Sequence, residues 1–337
     1  MKNRNKSLAF SLRQLILFAM IFFVLSGVVS AGKTDIIDEN VEKAVLSQDW
    51  EKVYDILKDK YIKSKKPSSA RVLLTIACLE TDRDTEGWKL LCNLKKEDNE
   101  QWKKWVETIV SKYPDNPVSH FLLGSAYSRS GDYKKAIEEL DLAIKLDQKF
   151  AAAYVRRGRT YMLLNKRDKA MADYNKALEI KPKSYKAYIY LGDAFTSEKD
   201  YDKAIEQYSK AIKIKPNKSL AIINRAYTYL HQDEYDPAIK DFTRAIKITP
   251  EFAGVYYGRG IAYKNKKEYK RALKDLTRSI ELKPFASAYF ERGNLYVSLK
   301  KYDEAKKDFN MAIKKDLGGE KGFIGRKAKK ALVELKK

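Results

Sequence analysis

This chain of 337 residues has little of what most enzymes and small secreted scaffolds rely on. Two cysteines and two histidines leave too few ligands for a zinc ribbon and too few thiols for a disulfide-dense core. Fifteen glycines and eight prolines are too few for a collagen-like, loop-rich or all-β chain. No Gly-rich phosphate loop, no Cys-x-x-Cys and no histidine pair at ligand spacing occurs, and His120 and His231 stand apart from each other. The sequence therefore offers no catalytic constellation, no cofactor and no metal site, and the expectation is that the protein is not an enzyme.

What is present is charge and periodicity. Hydrophobic residues make up 44% of the chain, too many for a disordered one, and charged residues make up 34%, which suits an elongated body with much surface. The formal charge is +23. Lys2, Arg4, Lys6 and Arg13 precede an apolar run from Leu15 to Val29, and small residues follow up to Ala31 and Gly32. A basic flank, a short apolar run and a small-residue exit are the pattern of an export signal over residues 1–31, cut after Ala31. The alternative is an uncleaved anchor, because 17 residues from Leu15 to Ala31 reach the lower length of a span. Both readings place residues 32–337 outside the cytoplasm, periplasmic or secreted, with a formal charge of +19 once the four basic residues are removed.

Self-alignment exposes a repeat of 34 residues. A small residue recurs at Gly124, Gly158, Gly192, Ala226, Gly260 and Gly293. Three residues on stand Tyr127, Tyr161, Phe195, Tyr229, Tyr263 and Tyr296. Twelve after the small residue come Ala136, Ala170, Ala204, Ala238, Ala272 and Ala305, then the bulky Leu140, Tyr174, Tyr208, Phe242, Leu276 and Phe309. Four units close with Pro182, Pro216, Pro250 and Pro284. Each unit reads as two amphipathic helices, A and B, too short to stand alone in water, so neighbours must stack. The small residues let helices approach and the aromatics fill the space between them.

In this register the sequence resembles the tetratricopeptide repeat family, with six units from 117 to 319. The resemblance implies an all-α fold: a right-handed α-solenoid of helical hairpins, with degenerate helical repeats over 32–116 and a basic capping helix over 320–337. Within the repeats, Arg157, Arg225, Arg259 and Arg292 precede the small residue, and each has an Asp sixteen residues later: Asp173, Asp241, Asp275 and Asp308. The two units with Leu123 or Leu191 carry Glu139 or Gln207 instead. This co-occurrence predicts ion pairs tying helix A to helix B within a unit. An anion-binding row of arginines is the alternative.

The resemblance also implies that helix A lines a concave, ligand-facing groove. Three before the small residue the slot reads Phe121, Val155, Ile189, Ile223, Tyr257 and Phe290. One after it come Arg159, Asp193, Tyr227 and Asn294, with Ser125 and Ile261 in the other two units. The apolar row suits either a peptide or helix laid along the groove or packing against the neighbouring A helices. The family's charged clamp for a C-terminal carboxylate is not reproduced. Residues 32–116 hold all four tryptophans, Trp50, Trp88, Trp102 and Trp105, and read as a cap or a partner surface. Cys78 and Cys92 fit either a disulfide or two buried thiols. On the last segment Ile324, Ala328, Ala331, Leu332 and Leu335 share one face and the other faces are basic.

The function these features imply is an exported scaffold or adaptor that binds a protein or peptide in the cell envelope. The alternative is a basic surface that binds anionic membrane or cell-wall polymer. Nucleic acid is not expected, because the charge is distributed and the chain bears an export pattern.

Overall fold

The computed structural model describes residues 117–335 together with Asp55, Lys103, Glu107, Val110, Ser111, Pro114 and Asp115. The expected export segment, the four tryptophans and the Cys78–Cys92 pair lie outside the described residues. Every regular element described is helical. The chain divides into two compact units, residues 1–148 and 149–337, so the boundary falls after the first repeat.

In the first unit, α1 (Pro117–Ser130) and α2 (Tyr133–Leu146) form one hairpin. Gly131 turns the chain at φ 87°, where only glycine is at ease, and Asp132 caps α2 by accepting from the Lys135 amide at 3.3 Å. Leu140 fills the space beside Gly124 and is fully buried.

The second unit carries five more hairpins and a cap. The A/B pairs are α3 (Ala151–Leu163) with α4 (Arg167–Ile180), α5 (Tyr185–Ser197) with α6 (Tyr201–Ile214), and α7 (Ser219–His231) with α8 (Tyr235–Ile248). They continue with α9 (Ala253–Asn265) and α10 (Tyr269–Leu282), then α11 (Ala286–Ser298) and α12 (Tyr302–Lys315). Each hairpin packs on the next, and each B helix also meets the following A helix. The alanines at the first B-helix slot, Ala170, Ala204, Ala238, Ala272 and Ala305, are fully buried, as the close approach of backbones requires. The bulky slot supplies the largest buried side chains, Tyr174, Tyr208, Phe242 and Phe309.

The A-to-B turns all place one residue in the left-handed region: Asn165, Lys199, Asp233, Lys267 and Lys300, with φ between 58° and 63°. None of these is glycine, so each turn carries a cost on the order of 1 kcal/mol that the packing overrides. The capping helix starts later than the sequence suggested. A 3-10 turn spans Gly319–Lys321, and α13 runs Phe323–Glu334. Its apolar face, Ile324, Ala328, Ala331, Leu332 and Leu335, packs on Phe309 and Ala312 of the last repeat.

Candidate functional site: the A-helix face

The four expected Arg–Asp pairs form. Arg157, Arg225, Arg259 and Arg292 each hold the Asp of their own B helix through two parallel hydrogen bonds, Nε to Oδ2 and Nη2 to Oδ1, at 2.6–2.9 Å. The Asp residues are 4–5% exposed, so the carboxylates are spent on structure and a free anion-binding arginine row is not what these forks provide. A further bond was not anticipated. Nη1 of Arg225, Arg259 and Arg292 donates to Ser209, Thr243 and Thr277 on the B helix of the preceding repeat, at 2.8, 3.0 and 3.1 Å. Each arginine is therefore a link within its unit and between units. The signal was in the sequence, as a hydroxyl residue seventeen after the small one in each of these preceding repeats.

His120 stands apart from His231 but has partners of its own. In the first hairpin, which has Leu123 in the arginine slot, His120 Nδ1 lies 2.7 Å from Glu139 Oε2 and Nε2 lies 2.7 Å from the Pro114 carbonyl. The carboxylate that lacks an arginine partner is met by an imidazole one turn earlier.

The apolar row is unevenly covered. Val155, Ile189 and Ile223 are 9, 2 and 8% exposed and belong to the core, as the packing alternative describes. Ile189 and Ile223 share one apolar cluster with Tyr208 and Phe242 of the B helices. Phe121, Tyr257 and Phe290 remain half-buried. The Tyr257 ring meets Phe285 edge-on with centroids 5.3 Å apart, and the Phe290 ring meets Phe309 at 5.8 Å.

The slot after the small residue is different. Arg159, Asp193, Tyr227 and Asn294 are all half-buried, neither spent in the core nor fully in solvent. The first three meet the next A helix at a spacing sequence reading missed. Arg159 Nη1 lies 3.4 Å from the Tyr190 hydroxyl, with its guanidinium 5.5 Å from that ring. Asn224 Nδ2 donates to Asp193 Oδ1 at 2.9 Å. Both pairs are 31 residues apart, one repeat less three. The Tyr227 hydroxyl donates to the Gly254 carbonyl at 2.7 Å, and burial pushes its pKa up to about 12.

Between α5 and α7 these contacts leave a cavity of about 320 Å³. Asp193, Thr196 and Ser197 line it from α5, and Asn224, Tyr227 and Thr228 from α7, with Tyr208 and His231 completing the wall. Asp193 Oδ1 also accepts from the Tyr208 hydroxyl at 2.7 Å. Burial holds the Asp193 carboxyl above the usual carboxylate range, against the lowering pull of its two hydrogen bonds and of Arg159. Tyr208 is pushed well above its ordinary value, first by burial and then by the Asp193 charge. The exposed His231 stacks on Tyr201 with centroids 5.6 Å apart. Among the described residues no group of His, Cys, Asp and Glu is placed to hold a metal ion, and no helix is long and apolar enough to cross a membrane.

Family comparison agrees with this architecture. The tetratricopeptide repeat matches residues 118–150, 151–184, 185–218, 253–285 and 286–316, and a related TPR repeat matches 226–267. Together these matches span more than half of the chain. This chain belongs to the tetratricopeptide repeat family. No curated protein matches it in sequence. Among solved structures, it is similar to a chain of the APC/C hetero-tetramer Cut9-Hcn1, with 14% identity and a TM-score of 0.63 over 86% of this chain. The protein covers 53% of that chain, about half its length. It is also similar to pilF of Pseudomonas aeruginosa, with 16% identity and a TM-score of 0.56 over 64% of this chain and 97% of that one. A tetratricopeptide repeat protein from Parabacteroides merdae gives 22% identity and a TM-score of 0.53 over 72% and 94% of the two chains. At these identities the likeness is one of fold.

Proposed function

We propose that this tetratricopeptide repeat protein is a non-catalytic scaffold that binds a segment of a partner protein along its A-helix face, outside the cytoplasm. The division of labour between the helices carries the reading. The B helices spend their acidic and bulky residues on the Arg–Asp links and the core, whereas the A helices keep Arg159, Asp193, Tyr227 and Asn294 half-exposed, with Asp193 and Tyr227 lining a cavity. Half-exposed polar and aromatic side chains on a rigid stack of helices give hydrogen bonds and contact area at low entropic cost. The basic flank and apolar run over residues 1–31 support export.

The groove contacts are the polar and aromatic residues of the second slot rather than the buried Val155, Ile189 and Ile223 of the apolar row. A test on the full chain places a photo-crosslinking residue at the exposed Ser197 or His231 on the A face, and at the exposed Lys240 or Lys274 on B helices. The reading expects one partner to be captured from the A-face positions and not from the B-face ones. Equal capture from both faces, or from neither, would overturn it. Sequencing the amino terminus of the protein recovered from an extracytoplasmic fraction tests export separately.

A further inference from the structure

We infer that the cavity between α5 and α7 is a receptor for a positively charged side chain, the ammonium of lysine or the guanidinium of arginine, presented by the bound partner segment. The inference deepens the proposed scaffold role and rests on it for its biological source.

Asp193 carries a charge that no direct ion pair meets among the described residues. Asp193 takes both of its hydrogen bonds on Oδ1, from Tyr208 and Asn224. No hydrogen bond reaches Oδ2 and no ion pair is made by Asp193 among the described residues. The fully buried aspartates among them, Asp173, Asp241, Asp275 and Asp308, are each held in a two-bond arginine fork. Arg159 acts on this carboxylate only from a distance; a carboxylate withdrawn from water without a cation in contact is costly, and a cation that enters relieves that cost. The two donors on Oδ1 hold the carboxylate in place before the cation arrives, which lowers the ordering needed on binding.

The rest of the lining suits a cation and not an anion. Thr196, Ser197 and Thr228 offer hydroxyl oxygens, and the Tyr227 ring offers an aromatic face. No lysine or arginine lines the cavity. The volume of about 320 Å³ has room for the end of a long side chain. The site also belongs to one repeat junction alone. The Asp193 slot holds Ser125, Arg159, Tyr227, Ile261 or Asn294 in the other units, and the Asn224 slot holds Leu122, Arg156, Tyr190, Gly258 or Glu291. A single carboxylate pocket in a chain of formal charge +23 would fix the register of a partner segment.

Three capped tripeptides, Gly-Lys-Gly, Gly-Arg-Gly and Gly-norleucine-Gly, titrated into the full chain, test this. The readout is the NMR signals of the Asn224 side-chain amide and the Tyr227 backbone amide. The lysine and arginine probes are expected to shift these signals, with norleucine binding at least about tenfold more weakly. Asp193→Asn, which can still accept from Tyr208 and Asn224, should weaken the cationic probes about tenfold or more. Asp303→Asn makes the same charge change at an exposed position on α12 and should leave their affinity intact. A thermal melt of Asp193→Asn checks that its fold is kept. Equal shifts from norleucine, undiminished binding by Asp193→Asn, or no shift from any probe would each overturn the inference. Such a failure leaves the crosslinking footprint standing, since that experiment reports which face is covered and not what the cavity holds.

Discussion

Arg225 grips Asp241 through bonds of 2.7 and 2.9 Å while its third nitrogen reaches Ser209 of the preceding repeat at 2.8 Å. One side chain thereby joins three helices, α6, α7 and α8. In a stack whose stability is a sum of unit and interface terms, such a residue acts on both terms. Removing Arg225 as leucine leaves a buried carboxylate unpaired, and a loss of about 3 kcal/mol is expected in urea unfolding. Arg225→Leu combined with Asp241→Leu should recover most of that loss, because the orphaned charge is gone. A double variant as unstable as the single one would show that the bond to Ser209, rather than the ion pair, carries the stability.

The small-residue slot makes a second prediction. A Cβ built on Gly293 would stand 2.7 Å from Cε1 and 2.9 Å from Cδ1 of Phe309, a ring with no exposed surface. The ring cannot move aside, so Gly293→Ala should cost about 1–3 kcal/mol through overpacking, despite alanine's better helix propensity. Gly254→Ala is the internal comparison. Its nearest neighbour is the ring of Phe252, 3.0 Å away and 51% exposed, which is free to shift. That variant should be neutral or stabilising in a thermal melt, and destabilisation as large as that of Gly293→Ala would refute the account.

These cases show what the sequence could and could not announce. The repeat slots encode contacts between backbones and large rings, which recur wherever the geometry recurs, so Gly293 and Phe309 were legible from spacing alone. The pairs of Arg225 and Asp241 were legible because arginine and aspartate appear and vanish together. The groove was not. Ile189 and Asp193 lie one helical turn apart on α5, yet the first is in the core and the second lines a cavity. Which of the two faces a ligand depends on how tightly α7 closes on α5, a packing property that a list of residue types does not hold. Nor could it show that Asp193 meets Asn224, because that pairing occurs at a single junction.

The Asp193 site should behave as a liability in the empty protein. Its carboxyl is held above the usual range by burial. A group whose folded value is raised binds its proton more tightly in the native state than in the unfolded one. Stability is therefore lost as pH rises through the window between the unfolded and folded values. At neutral pH Asp193→Asn should melt at the same temperature as the parent or higher, and that advantage should shrink in acid, where both forms are neutral. A clearly lower melting temperature for the variant at neutral pH would mean that the charge is structural rather than reserved for a ligand.

Asp316 should titrate with the opposite sign. It follows α12 and accepts from the Gly325 amide, on α13, through Oδ2 at 2.7 Å and from the Gly318 amide through Oδ1 at 3.3 Å. The Gly325 bond, with smaller help from Gly318 and Arg326, holds its carboxyl below the usual range. A lowered native value gives stability that is complete above the unfolded carboxylate range and fades as pH falls through the native value. Because the bond ties the start of α13 to the end of α12, the loss should appear first as undocking of α13, exposing Ala328 and the end of the core around Phe309. Hydrogen exchange at the Ala331 and Leu332 amides should accelerate in acid before exchange in α9 and α10 does. Asp316→Asn should show that faster exchange already at neutral pH and lose its pH dependence. If the α13 amides of the variant keep the parent's protection across the range, the helix is held by its apolar face alone, and Asp316 only shapes the turn before it.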